Sequence, residues 1–213
     1  MSTSSSRAPK GTVAIPTAFI LIAVAVWELA VKLMGVSPRI LPAPTQVARA
    51  GWQQREVIAG HAVATLQVTA VGFALSMVCA WVLAIASDFS PTLRKGLQPL
   101  LVASQTVPVI AIAPLIIIWF GFGIVPKMLV VALVTFFPVA IGLIEAFDRT
   151  DRDATRLLRS MGASRWQQFR MVRLPQAMPA FFTALRIGIT YAVTGAIFAE
   201  YVGAKQGLGI YMS

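Results

Sequence analysis

Between residues 152 and 173 the chain places six arginines, Arg152, Arg156, Arg159, Arg165, Arg170 and Arg173, at spacings that organise charge rather than catalysis. Ala154, Leu157, Leu158 and Met161 recur at helical spacing opposite Arg152, Arg156 and Arg159, which predicts a short amphipathic helix. Gly162 offers the left-handed backbone on which such a helix stops. Ser164, with Gln167 three residues on, is a capping-box pattern that starts a second helix at once. Trp166, Phe169, Met171 and Val172 give that helix its apolar groups. Pro175 is expected to end it, because proline has no N–H to donate and its ring collides with the preceding turn. Two occupants fit such a basic helix–turn–helix: anionic lipid headgroups, on which it would rest, or a cleft on a cytosolic partner. Asp148, Asp151 and Asp153 interleave with Arg149 and Arg152 and read as a salt-bridged face, with no metal site expected.

The remaining reactive groups are isolated. No Gly-rich loop followed by Lys and Ser/Thr occurs, so the chain is not expected to bind ATP or Mg itself, and no enzyme activity is read from it. The single cysteine, Cys79, allows no disulfide framework and reads as a small buried hydrophobe. The single histidine, His61, has no constellation around it and reads as an ordinary interfacial residue. Polar groups inside apolar runs carry more information. Glu28 is a charge within a span, a pathway candidate unless it reaches the outer interface. Gln67 lies between Thr65 and Thr69 near the outer end of the next span. Ser104, Gln105 and Thr106 precede Pro108 and Pro114, and prolines inside a span free carbonyls and permit kinks that line a cavity. These seven positions (Glu28, Gln67, Ser104, Gln105, Thr106, Pro108 and Pro114) are the candidates for a translocation path. Interhelical hydrogen bonding is the alternative use for the polar ones.

The elements that must position these groups are membrane helices. Of 213 residues 57% are hydrophobic and 12% charged, against about 45–50% and about 25% in soluble domains. Apolar stretches at 13–33, 62–86, 97–120, 124–144 and 177–202 each approach or exceed the roughly 20 residues that cross hydrocarbon. The expectation is an all-α, polytopic bundle with about five spans: a disordered cytoplasmic tail at 1–12, one transmembrane domain at 13–213, and a polar loop at 145–175. Thr45 is expected to cap a short surface helix. The net charge of +10 is one signature of nucleic-acid binding, but here it reads as the Lys/Arg excess of cytoplasmic loops. Eleven Lys and Arg lie on the side of the amino terminus and the 145–175 loop, against six on the other. That count places the amino terminus in the cytoplasm and, with five spans, the carboxyl terminus outside.

The stretch "GASRWQQFRMVRLPQAMPAFFTALRIG" resembles the cytoplasmic signature loop of inner-membrane permease subunits of binding-protein-dependent ABC importers. Gly162, Val172, Leu174 and Pro175 stand at the spacings of that pattern, and Arg156-Leu157-Leu158 stand where it has Glu-Ala-Ala. "LPAPTQVARA", "PVIAIAPLIIIWFGFG" with Lys127, "GASRWQ", "LRIG" and "GLG" together resemble the branch that imports nitrate, sulfonates, taurine, bicarbonate or vitamin precursors. The resemblance implies that Arg156, Arg159, Gly162, Ala163, Ser164, Arg165, Val172, Leu174 and Pro175 seat in an ATPase. It also implies a cytosolic ABC ATPase dimer that binds ATP and Mg, a second permease copy forming a homodimer, an extracytoplasmic solute-binding protein, and a bacterial inner-membrane location. A sixth span is expected in the family. A secondary transporter or channel subunit is the rival reading, and it would require inverted repeats; no motif occurs twice.

Overall fold

The computed structural model describes residues 11–104, 106 and 108–213; the tail reading therefore falls, up to residue 10, outside the described residues, as does Gln105. Every regular element among the described residues is helical. The described residues fall into two compact units, the first ending at Ile58 and the second running from Ala59 to Ser213.

In the first unit α1 (Gly11–Leu33) leaves Phe19, Ile20, Leu21 and Leu29 at least 60% exposed. Side chains of this kind need no protein partner when lipid tails surround them. Gly35, at φ 63°, turns the chain after α1. α2 (Pro44–Gln53) begins with Pro44 at its first position, where the ring presets φ and the missing N–H costs nothing. Thr45 does not cap this helix as the sequence suggested. It lies one residue inside, and its own N–H needs an acceptor, which Glu28 provides at 3.0 Å.

The second unit holds all but the first turn of α3 (Arg55–Phe89), then α4 (Pro91–Ser104), α5 (Val109–Phe120), α6 (Ile124–Asp148), α7 (Arg152–Ser160), α8 (Arg165–Gln168), a π-helical turn (Phe169–Arg173), α9 (Leu174–Tyr201) and α10 (Leu208–Tyr211). α6 and α9 pack along each other and form its centre. Val139, Ala140, Leu143 and Phe147 of α6 meet Ala80 and Ala84 of α3, Phe169, and Ala177 of α9. Small residues let the backbones approach: a Cβ on Gly72 would lie 2.7 Å from the Met128 carbonyl oxygen of α6. Close helix contacts of this type dominate where hydrophobic driving force is absent. Cys79, expected to be buried, is exposed on α3.

Four helices are long and apolar enough to cross a membrane: Ile15–Leu33, Arg55–Phe89, Ile124–Asp148 and Arg165–Tyr201. The expected third span, 97–120, is instead two helices, α4 and α5. Pro108 stands extended between them, at φ −68° and ψ 116°, and a proline there has no N–H with which to continue the ladder. α5 has 12 residues, about 18 Å of helix, short of the roughly 30 Å of a hydrocarbon core. The expectation that Pro175 ends a helix is also corrected. The helix entered at Arg165 runs on to Tyr201, and Pro175 lies within it. The π turn accommodates the ring: the Leu174 N–H donates to the Phe169 carbonyl, five residues back, which widens the helix where Pro175 would collide with its i−4 carbonyl.

Candidate functional site

Asp151 starts α7 by accepting hydrogen bonds from the N–H groups of Asp153 and Ala154, at 2.8 and 3.3 Å. The helix ends in a Schellman turn. The Ala163 N–H donates to the Leu158 carbonyl and the Gly162 N–H to the Arg159 carbonyl, each at 3.0 Å. Gly162 sits at φ 84°, a conformation that strains L-residues by about 1–2 kcal/mol. Ser164 opens the next helix with the full capping box: the Gln167 N–H donates to its hydroxyl at 3.2 Å, and its own N–H donates to the Gln167 side chain at 2.7 Å. The junction is thus made of two caps back to back, both legible in the sequence.

Packing fixes this corner to the bundle. Phe169 is buried, with its ring 5.4 Å from that of Phe147 and 5.7 Å from that of Phe89. Trp166 stacks on Phe169 at 5.6 Å yet remains 57% exposed. Arg165 reaches the Phe89 carbonyl at 3.5 Å, and the Asp151 N–H donates to the Gln176 side chain at 2.9 Å. Arg173 pairs with Asp88, whose side chain is 5% exposed, and Arg94 pairs with Asp148. Burial holds the Arg94 guanidinium below its ordinary pKa, and the Asp88 carboxylate opposes that shift. Val172 and Leu174 are half-buried, and Pro175 is exposed. Arg156 pairs with Asp153 at 3.2 Å on the surface. Asp148 thus finds its partner on α4 rather than among the interleaved arginines, while Glu145 takes Arg149 at 3.1 Å.

The outer side of the corner is apolar. Leu157 is 63% exposed and Met161 75% exposed, and Trp166 extends the same kind of surface. Arg152, Thr155, Arg156 and Arg159, which share the other face of α7, border two clefts against the bundle.

Within the second unit the described path candidates are not gathered in one place. Ser104 donates to the Leu101 carbonyl at 2.6 Å and Thr106 to the Ala103 carbonyl at 2.7 Å. They serve carbonyls at the end of α4, beside Pro108 at the start of α5, with Pro114 inside α5. Gln67 lies elsewhere, exposed in an open pocket of about 460 Å³ with Lys127, Lys205 and Gln206. Glu28, in the first unit, accepts from both the N–H and the hydroxyl of Thr45 and pairs with Lys32 at 2.7 Å.

A further cluster was not singled out from the sequence. Glu200 of α9 is fully buried, and its Oε2 accepts from the Thr65 hydroxyl at 3.0 Å and the Gly209 N–H at 2.8 Å. The Thr65 oxygen in turn accepts from the Leu208 N–H at 2.8 Å, and His61 Nδ1 accepts from the Gly207 N–H at 3.0 Å. The "GLG" stretch is therefore clamped by its three backbone amides. Gly207, at φ 134°, leaves room for the carboxylate: a Cβ there would lie 2.2 Å from Glu200 Cδ. One acidic residue in the apolar run of α9 was the available signal, the same signal that singled out Glu28.

Comparison with known proteins gives this helix bundle its family. The family model for the binding-protein-dependent transport system inner membrane component matches residues 72–213. The chain is 37% identical over 197 residues to the formylaminopyrimidine transport permease protein ThiX of Halalkalibacterium halodurans, covering 92% of this chain and 78% of that one. It is 38% identical over 197 residues to the riboflavin transport system permease protein RibX of Chloroflexus aurantiacus, covering 92% and 73%. It is 33% identical over 209 residues to the taurine transport system permease protein TauC of Escherichia coli, covering 93% and 74%. With two thirds of its length inside the family model and relatives aligned along nearly all of it, the chain belongs to the inner membrane components of binding-protein-dependent transport systems.

Proposed function

We propose that this chain is the pore subunit of an ATP-driven importer, moving a small solute into the cytoplasm with energy from a separate ATPase. The relatives' names point to a vitamin precursor, a vitamin or a sulfonate-type anion. In this reading a cytosolic ABC ATPase dimer binds ATP and Mg, a second copy of this chain completes the pore as a homodimer, and an extracytoplasmic binding protein delivers solute. The amino terminus and the 145–175 segment lie in the cytoplasm.

The observation that carries the reading is the corner at Gly162. It presents Leu157, Met161 and Trp166 outward while Phe169 anchors it in the core. An exposed apolar knob on a rigid base suits seating in a groove of another protein. Because Phe169 packs on Phe147 of α6 and its helix continues as α9, a push on the knob moves the two central helices together. A two-state bundle biased through such a lever is a sufficient device for alternating access.

Two substitutions test this. Gly162→Val strains the left-handed turn by about 1–2 kcal/mol and misdirects the knob. Leu157→Glu places charge on it without touching the core. Both are expected to leave the chain at normal abundance in the membrane while ATPase activity co-purifying at matched permease levels drops sharply. Equal recovery with wild type and both variants would remove the coupling assignment.

A further inference from the structure

We infer that the two clefts behind α7 hold a phosphate group, as carried by an anionic lipid headgroup or by free phosphate. Arg152, Thr155, Arg156 and Arg159 follow the i, i+3, i+4, i+7 pattern of one helix face, and all four line these clefts. Arg152, Arg156 and Arg159 stay exposed at the rims of these clefts, with the half-buried Thr155 between them and the bundle, while Leu157 and Met161 lie exposed on the other side of α7. One cleft, of about 260 Å³, is bounded by Arg94, Arg152, Arg156 and Arg173; the other, of about 250 Å³, by Arg159, Arg165 and Arg173. Six arginines stand against two lining aspartates, Asp88 and Asp148, an excess of four positive charges, and three once Asp153 is set against Arg156.

The chain's own acids are already committed. Asp148 is taken by Arg94, Asp88 by Arg173, and the Asp151 side chain by the start of α7. Among the described residues Arg152 and Arg159 have no ion-pair partner. Guanidinium groups gathered without counterions repel one another, and an anion between them relieves this. Their planar forks match tetrahedral phosphate oxygens in paired hydrogen bonds.

Position indicates where the phosphate comes from. The clefts are bordered by Phe89, Asp148 and Arg173, so three long apolar helices converge there: the ends of α3 and α6 and the start of the helix that becomes α9. Basic pockets at span ends lie at headgroup depth. Bound there, the phosphate would brace the base of the apolar knob without covering it.

The test uses the purified full chain, delipidated and offered an equal mixture of phosphatidylglycerol and phosphatidylcholine, with retained lipid counted by native mass spectrometry. Wild type is expected to retain phosphatidylglycerol preferentially. The Arg152→Gln/Arg159→Gln double variant spares every ion pair, and it is expected to lose roughly thirtyfold in that binding, about fivefold for each cation removed. Arg170→Gln, a charge change at an exposed site outside the clefts, should keep the preference. Retention that excess inorganic phosphate does not displace assigns the clefts to lipid. Displacement, with inorganic phosphate raising the melting temperature of delipidated wild type and not of the double variant, assigns them to free phosphate. No lipid preference together with no phosphate stabilisation in wild type overturns the inference. So does an equal loss in Arg170→Gln, or a double variant that behaves as wild type.

Discussion

Glu28 and Glu200 are both carboxylates set in apolar helices, and each holds the backbone of a segment that follows it. Glu28 takes the first free N–H of α2 through Thr45, takes the Thr45 hydroxyl, and has Lys32 beside it at 2.7 Å. Its charge is matched and its side chain is 16% exposed. Glu200 is fully buried, has no cation within ion-pair distance among the described residues, and places both its hydrogen bonds on one oxygen, leaving Oε1 without a partner. The first arrangement is a helix cap that water or headgroups can replace. The second cannot be replaced that way, because donors inside a closed site are lost outright when their acceptor goes. The fold of "GLG" and α10 is therefore conditional on one side chain, while α2 is only assisted by one.

The largest effect that would separate the two is Glu200→Ala. It removes the acceptor of the Gly209 N–H and of the Thr65 hydroxyl, and with it the orientation that lets Thr65 accept from Leu208. A buried donor left without its acceptor costs about 1–3 kcal/mol. Exchange of the Leu208 and Gly209 amides is accordingly expected to accelerate by roughly one to two orders of magnitude. Unchanged protection would mean that the His61–Gly207 bond and packing suffice, and the contrast with Glu28 would disappear.

A smaller change attacks the same site from the other side. Gly207→Ala keeps the carboxylate but places a Cβ 2.2 Å from Glu200 Cδ at a φ of 134°, a backbone region that costs a residue with a side chain about 1–3 kcal/mol. Loss of protection at the same amides is expected. Combined with Glu200→Ala the effects should be far from additive, since each change releases one latch. Additive losses would show that Gly207 matters for its turn alone.

The difference in legibility between the two carboxylates is instructive. Caps are local, so Gly162, Ser164 and Gln167 announced their geometry within a few residues of sequence. The helical class and most span positions followed from apolar length in the same way. Glu200 depends on Thr65, 135 residues away, and His61 becomes a backbone acceptor only once Gly207 is folded against it. No local pattern encodes those pairings. The third span was legible as an apolar stretch whose prolines permit kinks, but its division into two helices was not, because a hydrophobic window averages over Pro108 and cannot weigh one missing N–H against the surrounding apolar run. Pro175 failed in the opposite sense, because a single π turn absorbs a proline that a regular helix would not. Glu28 was legible as an unusual charge, but its partner in α2 was hidden behind Pro44, which moves the first N–H that needs an acceptor from Thr45's neighbour to Thr45 itself.

The smallest expected effect is that of Glu28→Ala, and it bears most directly on the contrast. Pro44 has no N–H, so Thr45 presents the first orphan donor of α2, and the Ala43 N–H is served separately by the Gln46 side chain at 3.2 Å. Losing Glu28 therefore uncovers two donors of Thr45, its N–H and its hydroxyl, and the Lys32 ammonium, all three beside solvent or headgroups able to accept from them. Faster amide exchange is expected at Thr45 and within the first turn of α2 only. Protection of Leu208 and Gly209, and the melting temperature in detergent, should match wild type. Should Glu28→Ala lower that melting temperature as far as Glu200→Ala does, the first unit would depend on its carboxylate as heavily as the second, and burial would not be what distinguishes them.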